Sequence, residues 1–369
     1  MFLSFGERKI GLKANAKMRR LIRHIFLIAN IFIALLLLFT YLIPEVNPGK
    51  FWIPSLLGLV YPYVLAANVV FAIFWIALHW QYSLISLGCI LFGVNTFFNY
   101  FQFFGRSTKS DEGIAVLNYN VHYFYSYLDK GKKDKAILDY IAAQKADIIC
   151  LQETKLQKEG LLNPVKLKAY FPGILHCQLA HQSQWGGPVT FTKFPILNMG
   201  EIRFDNTDNM VIYSDLLIKK DTVRVYNCHL QSYGIDVRQY SVIDTLGFEG
   251  KKIDQMKKIG AKLKHGFRRR STQVDKLVKH IEKCPYPIIL CGDFNDIPIS
   301  YTYNEISSLL KDSFVESGKG VSSTYRGKLP SYRIDYIFHS KEFKAYNYSC
   351  TDVKFSDHLP IKTFLVKKK

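Results

Sequence analysis

Paired cysteines are missing from this sequence. Seven cysteines occur among 369 residues, but no two of them form a CxxC pair. Cys150, Cys228 and Cys291 end apolar runs, where a free cysteine acts as a small hydrophobic side chain. The spacing therefore argues against a disulfide framework and against a zinc site. Internal repeats and low-complexity segments are also absent, which excludes a repeat protein.

Charge is missing from three long runs near the N-terminus, at residues 25–43, 53–78 and 82–104. Each run is about as long as the roughly 19 to 20 residues that cross a hydrocarbon core of about 30 Å. The alternatives are a cleaved signal peptide and a buried helical core. Pro44 and Glu45 follow bulky residues and do not resemble a cleavage site. We therefore expect three transmembrane helices.

The lysines and arginines around these runs indicate an orientation. Seven of them precede the first run, whereas the connection between the first two runs contains only Lys50. The positive-inside rule then places the N-terminus in the cytoplasm. With three spans, the rest of the chain lies outside the cytoplasm, as in a protein of the bacterial inner membrane. A different number of spans would reverse that side.

These observations divide the chain into three parts. Residues 1–24 form a basic cytoplasmic tail, residues 25–105 hold the transmembrane helices, and residues 106–369 form a catalytic domain. Acidic residues are scarce throughout, with 30 against 49 lysines and arginines and a net charge of +19. A basic domain favours phosphate-bearing partners or an anionic lipid surface. The alternative is a surface that only confers solubility.

After residue 113 the chain alternates apolar runs with polar turns and helical patterns, which predicts an α/β domain of layered sheets. Helices are expected over 132–144 and about 256–281. The second helix has an apolar face and a strongly basic face, which either packs on the core with a solvated side or binds anionic lipid or substrate. The expected strands are 114–119, 148–151, 189–191, 212–218, 223–229, 288–292, 333–338 and 361–366.

Polar side chains follow these strands repeatedly, and together they suggest catalysis. The set comprises Asn120, Glu153, His229, Asp293, Asn295, Asp335, Asp357 and His358. Carboxylate and amide oxygens without thiolates suit Mg²⁺ or Mn²⁺. Histidines exchange protons near neutral pH, and a neighbouring carboxylate can hold an imidazole in one tautomer. Such a set matches the hydrolysis of phosphate esters.

The ordered motifs YNV, LQET, NCHLQS, GDFND, RIDYIF and SDHLP, between residues 119 and 360, resemble those of the endonuclease/exonuclease/phosphatase superfamily. That superfamily includes deoxyribonucleases, abasic-site endonucleases, sphingomyelinases and inositol polyphosphate 5-phosphatases. The resemblance covers residues 113 to about 366. It implies a four-layered α/β sandwich, with two packed mixed sheets flanked by helices, which the three transmembrane helices would precede. It also implies a divalent-metal-dependent phosphoesterase that uses Mg²⁺ or Mn²⁺.

The resemblance also implies roles for the residues. Glu153 would be the chief metal ligand, with Asn120 beside it and Asp357 contributing. Asp293 would orient or deprotonate the attacking water, and Asn295 would hold a phosphate oxygen. His358, oriented by Asp335, would act as the second acid/base or bind phosphate. His229 occupies a position where nuclease-like and sphingomyelinase-like members keep a histidine.

Other polar residues are expected to have structural roles. Abasic-site enzymes carry an acidic residue where this chain has His122, which argues against DNA repair. His122, His176 and His181 are interpreted as surface or packing residues, and Asp296 as a turn residue. In the segment 182–196, Gly186 and Gly187 permit close backbone approach. Trp185 in that segment either stacks on substrate or covers the sheet edge.

The expected function is that of a membrane-anchored phosphodiesterase or phosphatase. Nucleic acid is slightly favoured as the substrate by the basic charge. A phospholipid or sphingomyelin head group, or an inositol phosphate, is the alternative that the membrane anchor favours. A retired domain that serves as an envelope scaffold is a further alternative, against which the complete set of polar positions argues.

Overall fold

The computed structural model describes residues 5–108, 113–124, 133–158, 162–180, 186–234, 250–326 and 331–368. The chain divides into two compact units. One comprises residues 1–43 and 56–96, and the other comprises residues 44–55 and 97–369. The connection between the first two apolar runs therefore belongs to the same unit as the predicted catalytic domain.

The first unit is helical, with α1 at Phe5–Thr40, α2 at Ile53–Leu78 and α3 at Trp80–Phe92. Two segments, Lys17–Glu45 and Ile53–Leu78, are long and apolar enough to cross a membrane. Composition and length alone support this reading. Inside the unit the buried Asn30 donates to Ser86 Oγ at 2.6 Å, which ties α1 to α3.

The prediction of three full-length transmembrane helices was wrong for the third run. Its helix α3 has 13 residues, about 20 Å at 1.5 Å per residue, which is short of a hydrocarbon core of about 30 Å. Gly93 ends it, and a separate five-residue helix, α4, follows at Val94–Phe98. Glycine favours such a break because it disfavours the helix interior.

The second unit contains two six-stranded mixed sheets. The first sheet has the order β10-β12-β9-β8-β7-β6, and the second has the order β13-β14-β2-β3-β5-β4. A short pair, β1 with β11, lies apart from both sheets. The strands are β1 Phe101–Gln102, β2 Ile114–Asn120, β3 Ile148–Thr154, β4 His176–Leu179, β5 Gly187–Thr192, β6 Ile196–Arg203, β7 Met210–Ile218, β8 Asp221–His229, β9 Ile288–Asp293, β10 Lys311–Asp312, β11 Gly320–Val321, β12 Asp335–His339, β13 Phe343–Cys350 and β14 Ile361–Lys367.

Helices cover the outer face of each sheet. On the second sheet these are α5 at Lys133–Ala143 and α6 at Pro164–Tyr170. On the first sheet they are α7 at Gly250–Glu282 and α8 at Tyr301–Ser307, with α9 at Ser313–Ser317 nearby. A third apolar cluster, which includes Val116 and Ile289, fills the space between the sheets. The predicted four-layered α/β sandwich is confirmed.

The sequence pattern located the central elements well. All eight predicted strands are present, seven of them extended by one to three residues, whereas the predicted strand 333–338 is observed at Asp335–His339; both predicted helices are also present. The seven cysteines are free in the structure. The predicted basic tail is helical from Phe5 and continuous with the first apolar helix.

Candidate active site

The predicted residues meet at one end of the two sheets. In the second sheet β2 and β3 are parallel, and their register pairs Asn120 with Gln152, next to Glu153. In the first sheet β8 and β9 are parallel, and their register pairs His229 with Asp293. Parallel strands end at the same edge, so each pair of strands brings its polar residues together.

A backbone distortion at Glu153 places its side chain in the site. Glu153 has a φ of +52°, within a β-bulge between Leu151 and Thr154 in the pairing of β3 with β5. Gly186 supports the bulge from outside, because a Cβ there would lie 2.6 Å from the carbonyl oxygen of Thr154. The predicted close approach at this glycine is therefore observed.

Gly292 makes the close pairing before Asp293 possible. Its φ is +154°, and an added Cβ would lie 2.1 Å from the carbonyl oxygen of Cys228 on the neighbouring strand. Any larger residue would push β9 away from β8. The glycine of the GDFND motif thus keeps Asp293 in register with His229.

Asn120, Glu153, His229 and Asp293 form one cluster. The amide nitrogen of Asn120 lies 2.9 Å from Asp293 Oδ2 and 3.1 Å from Glu153 Oε1. His229 Nε2 lies 3.5 Å from Glu153 Oε1 and 3.9 Å from Asp293 Oδ2. Asp293 is 1% exposed, so its carboxylate is available only to groups inside the site. The cluster joins residues from both sheets.

His358 and Asp335 form a second, overlapping group. His358 Nδ1 lies 2.9 Å from Asp335 Oδ2, and His358 Nε2 lies 3.6 Å from Asp293 Oδ2. Burial disfavours the charged imidazole, but the charges of Asp335 and Asp293 overcome this and hold the pKa of His358 well above its usual value. Burial also raises the pKa of Asp335 to about 6. The two buried groups are therefore electrostatically coupled.

His122 lies in the site, so its interpretation as a surface or packing residue was wrong. Its Nδ1 lies 3.3 Å from Asp357 Oδ1 and 3.6 Å from Glu153 Oε2. The hydrogen bond to Asp357 raises the pKa of His122. Burial disfavours the charge of Asp357, yet His122 and His358 lower the pKa of that carboxyl to about 2. The left-handed backbone at residues 122–124 places this imidazole, and no sequence pattern signals it.

In the GDFND turn, Asn295 contacts the catalytic candidate Asp293, whereas Asp296 has a structural role. Asn295 donates its backbone N–H to Asp293 Oδ1 at 2.8 Å and its amide to the carbonyl of Leu230 at 3.0 Å. Asp296 accepts from the backbone of Ile297 as a turn residue, which was predicted. It also pairs with the fully buried Arg270 at 3.1 Å, a partner that the sequence did not reveal.

Several supporting residues were not anticipated. Ser356 Oγ donates to the carbonyl of Asn120 at 2.9 Å and accepts from the backbone N–H of His358. Thr324 Oγ1 accepts from the backbone N–H of Asp335 at 3.0 Å. The serine stands in the SDHLP motif, which could have signalled it, whereas the threonine is distant in sequence.

Beneath the site, three buried amides link the two sheets. Gln152 Nε2 donates to Asn118 Oδ1 at 2.8 Å and to Asn227 Oδ1 at 2.7 Å. Asn227 in turn donates to the carbonyls of Leu151 and Val189. All three side chains are fully buried, and such a network holds its members in one arrangement.

The donor set fits a hard divalent cation. Ligand atoms of Glu153, His229 and Asp293 lie within 4.8 Å of one another, as do those of Asp293, Asp335 and His358. Within the described part of the chain, the ion pairs of these carboxylates go to histidines and not to lysine or arginine. Carboxylate-rich, thiolate-free sites of this kind suit Mg²⁺ or Mn²⁺.

Two predicted positions near the site fall outside the described residues, namely Trp185 and His181. His176 begins the edge strand β4 and is partly exposed, away from the strand ends that carry the cluster. The predicted site residues Asn120, Glu153, His229, Asp293, Asn295, Asp335, Asp357 and His358 all lie in the described part of the chain.

Solved structures share this fold. The chain matches an endonuclease/exonuclease/phosphatase from Beutenbergia cavernae with a TM-score of 0.50 and 18% identity, over 69% of this chain and 72% of that one. It also matches the sulfate-bound catalytic domain of human Nocturnin. The TM-score is 0.50 and the identity 20%, over 71% of this chain and 97% of that one. An endonuclease/exonuclease/phosphatase from Bacteroides vulgatus matches with a TM-score of 0.50 and 15% identity, over 69% of this chain and 99% of that one.

Comparison with curated proteins gives no match. A family model described as a domain of unknown function matches residues 23–100, which include the apolar helices. The model of the endonuclease/exonuclease/phosphatase family matches residues 117–358, about two thirds of the chain. That span contains the whole cluster described above. The chain therefore belongs to the endonuclease/exonuclease/phosphatase family, whose members hydrolyse phosphate esters.

Proposed function

We propose that this protein is a membrane-anchored, divalent-metal-dependent phosphodiesterase. The observation that carries the proposal is the buried Asp335–His358 pair, in which His358 Nε2 faces Asp293 beside the Glu153 cluster. A proton carrier, a carboxylate base and a set of oxygen ligands then surround one point. Residues 106–369 would form the catalytic domain.

Glu153 would be the chief metal ligand, with Asn120 and Asp357 contributing, and His229 would lie beside Glu153. A bound divalent cation would supply charge stabilisation for the phosphoryl oxygens. Asp293 would accept a proton from the attacking water, and Asn295 would hold a phosphate oxygen. His358 in its protonated form would bind the phosphate or donate a proton to the leaving oxygen, and Asp335 would hold its tautomer.

The test uses the purified full chain with bis-p-nitrophenyl phosphate and Mg²⁺. Turnover is expected in the wild type and is expected to fall by about 10²-fold or more in Asp293→Asn and His358→Ala. Asp221→Asn is the matched control, because Asp221 is an exposed partner of Lys367 on the opposite end of β8. A well-folded wild type that hydrolyses no phosphoester with any divalent metal would refute the proposal.

The proposed substrate is nucleic acid, because the chain carries a net charge of +19 and phosphate backbones bind basic surfaces. A phospholipid head group is the second candidate, favoured by the contact between the catalytic domain and the connection of the two long apolar helices. Cleavage of plasmid DNA by the full chain would support the first, and release of head groups from liposomes would support the second.

The same connection supports a placement of the catalytic domain outside the cytoplasm. Asn47 donates to the hydroxyl of Tyr301 at 3.1 Å, and Asn304 donates to the carbonyl of Pro44 at 3.4 Å. Pro44 and Asn47 follow the C-terminal end of the first apolar helix, whereas the basic residues precede its N-terminal part.

Cysteine labelling of intact cells tests this placement, in a chain whose own partly exposed cysteines are replaced by serine. An impermeant maleimide is expected to label Lys50→Cys and Lys311→Cys without permeabilisation, and Lys17→Cys only after it. All three lysines are exposed. If Lys311→Cys behaves like Lys17→Cys, the domain faces the cytoplasm and the placement is wrong.

A further inference from the structure

A basic cleft lies beside helix α7, apart from the cluster of catalytic candidates. It has a volume of about 740 Å³ and lies between α7 and the turn that follows β6. Ligand sites commonly occupy about 300 to 1,000 Å³, so the cleft can hold a head-group-sized molecule. Its walls include Lys264, Arg268, Arg269, Gln273 and Lys276.

The charge of the cleft is strongly positive. Among the described residues, four lysines and arginines border it, against one carboxylate, that of Asp205. Arg269 Nη1 donates to the carbonyls of Asp205 and Asn206, both at 2.8 Å, and Lys276 Nζ donates to the carbonyl of Arg203 at 2.6 Å. These two cations therefore shape the wall by holding the turn in place.

The other two cations are available to a ligand. Lys264 and Arg268 are exposed, and the ion pairs among the described residues include neither of them. Both border the cleft on the same face of α7, four residues apart. Two unpaired cations at this spacing are neighbours on a helix and can contact one anionic group together.

A buried amide adds a directional donor. Gln273 borders the cleft and is 2% exposed. Its Oε1 accepts from the backbone N–H of Gln231 at 2.9 Å, whereas its Nε2 has no hydrogen-bond acceptor in the described part of the chain. Buried donors normally have a partner. An anionic oxygen that entered the cleft would provide one.

The position of the cleft indicates where such an anion would come from. Gly49, in the connection between the two long apolar helices, forms part of its rim, and a Cβ on that glycine would lie 3.2 Å from Ser271 Oγ on α7. A segment that joins two membrane-crossing helices lies at the bilayer surface. In the proposed membrane-anchored state, the cleft therefore opens where lipid head groups are present.

We propose that this cleft binds the phosphate of an anionic phospholipid head group. Lys264 and Arg268 contact the phosphate oxygens, and Gln273 donates to one of them after a small side-chain movement. The bound lipid holds the catalytic domain against the bilayer surface. The proposal rests on the proposed membrane anchoring but not on the proposed catalysis.

Lipid retention by the full chain in detergent tests the site. The protein is incubated with equal amounts of phosphatidylglycerol and phosphatidylcholine, repurified, and its bound lipid is measured by mass spectrometry. Wild type is expected to retain phosphatidylglycerol preferentially. In the Lys264→Ala/Arg268→Ala variant, the ratio of retained phosphatidylglycerol to phosphatidylcholine is expected to fall about tenfold, because each cation near a lipid phosphate contributes to binding.

The matched control is Lys257→Ala/Lys258→Ala, which removes the same charge from exposed positions on the same helix outside the cleft. It is expected to retain phosphatidylglycerol like wild type, and so is Asp293→Asn, which separates this site from catalysis. Equal losses in both double variants would show that only overall charge matters and would overturn the proposal. So would displacement of the lipid by millimolar inorganic phosphate or by a short DNA duplex, because either would make that anion the preferred ligand.

Discussion

Asp335 Oδ2 lies 2.9 Å from His358 Nδ1, and this contact joins the two sheets of the domain through one buried carboxylate and one buried imidazole. Asp335 begins β12 of the first sheet, whereas His358 precedes β14 of the second sheet. The carboxylate holds the imidazole so that Nε2 faces Asp293. It also contributes to the high pKa of His358.

Asp335→Asn is expected to lower the turnover number by about 10²-fold to 10⁴-fold, because the imidazole loses its tautomer and orientation. Loss of the carboxylate charge also lowers the pKa of His358. In the proposed mechanism His358 acts in its protonated form, so the fall of activity at high pH should begin at a lower pH in the variant. Turnover measured from pH 5 to 9 checks both effects. An unchanged pH profile would show that Asp335 does not act through His358.

Glu153→Gln is expected to weaken the binding of Mg²⁺ or Mn²⁺ by at least about tenfold, because an amide replaces a charged ligand next to Asn120 and His229. Calorimetric titration of the full chain with each metal measures this without a substrate. Glu201→Gln is the control, since Glu201 lies on β6 beside Arg203. Equal metal affinity of wild type and Glu153→Gln would exclude Glu153 as a ligand.

Gly292→Ala is expected to destabilise the protein by about 2 to 4 kcal/mol, because its Cβ would clash with the backbone of Cys228. Gly260→Ala is the opposite case. Gly260 lies in α7, and among the described residues no atom beyond its own helix backbone and chain neighbours lies within 4 Å of its Cβ position, so this change should stabilise the helix by about 0.5 to 1 kcal/mol. Thermal unfolding of both variants in detergent provides the comparison. A neutral Gly292→Ala would contradict the close pairing of β8 and β9.

Glu316 provides a pH test away from the catalytic candidates. Its carboxylate lies 3.0 Å from His339 Nε2 and 3.1 Å from Arg106 Nη1, and accepts from the backbone N–H of Ala345. Burial disfavours its charge, but these partners lower the pKa of Glu316 from 4.5 to about 2. A lowered carboxyl pKa stabilises the fold above the unfolded value, and the contribution is lost as pH falls toward 2.

Glu316→Gln should therefore be less stable than wild type by about 2 kcal/mol at pH 7. The difference should shrink as the pH falls from about 4.5 to about 2, which thermal unfolding at several pH values can follow. Glu201→Gln should change stability by less than about 0.5 kcal/mol throughout. A stability difference that does not depend on pH would show that packing, and not charge, accounts for the effect of Glu316.

The central strands could be predicted because burial on both faces gives them continuous apolar runs. Strands β4, β6 and β13 were not predicted. Each lies at an edge of its sheet, and most of its positions are partly or fully exposed, so that it lacks a continuous apolar run. Apolar composition likewise could not show where α3 ends, because Gly93 interrupts a run that stays uncharged on both sides.

The principal site residues could be predicted because they occupy ordered motifs at strand ends. His122 could not, since a left-handed turn and not a strand places it beside Asp357 and Glu153. Arg270, which the sequence analysis did not single out within the predicted basic helix, is fully buried against Asp296 and the ring of Tyr233. Pattern alone does not distinguish such a buried cation from its exposed neighbours.

The amides of Asn118, Gln152 and Asn227 couple the integrity of the fold to chemistry. Glu153 comes from one sheet and Asp293 from the other, so a slip of one sheet against the other by a single residue would separate them. The buried amides oppose that slip, since their hydrogen bonds exist in only one alignment. A partly unfolded molecule would therefore lack the proposed site, and only fully folded chains would cleave phosphate esters.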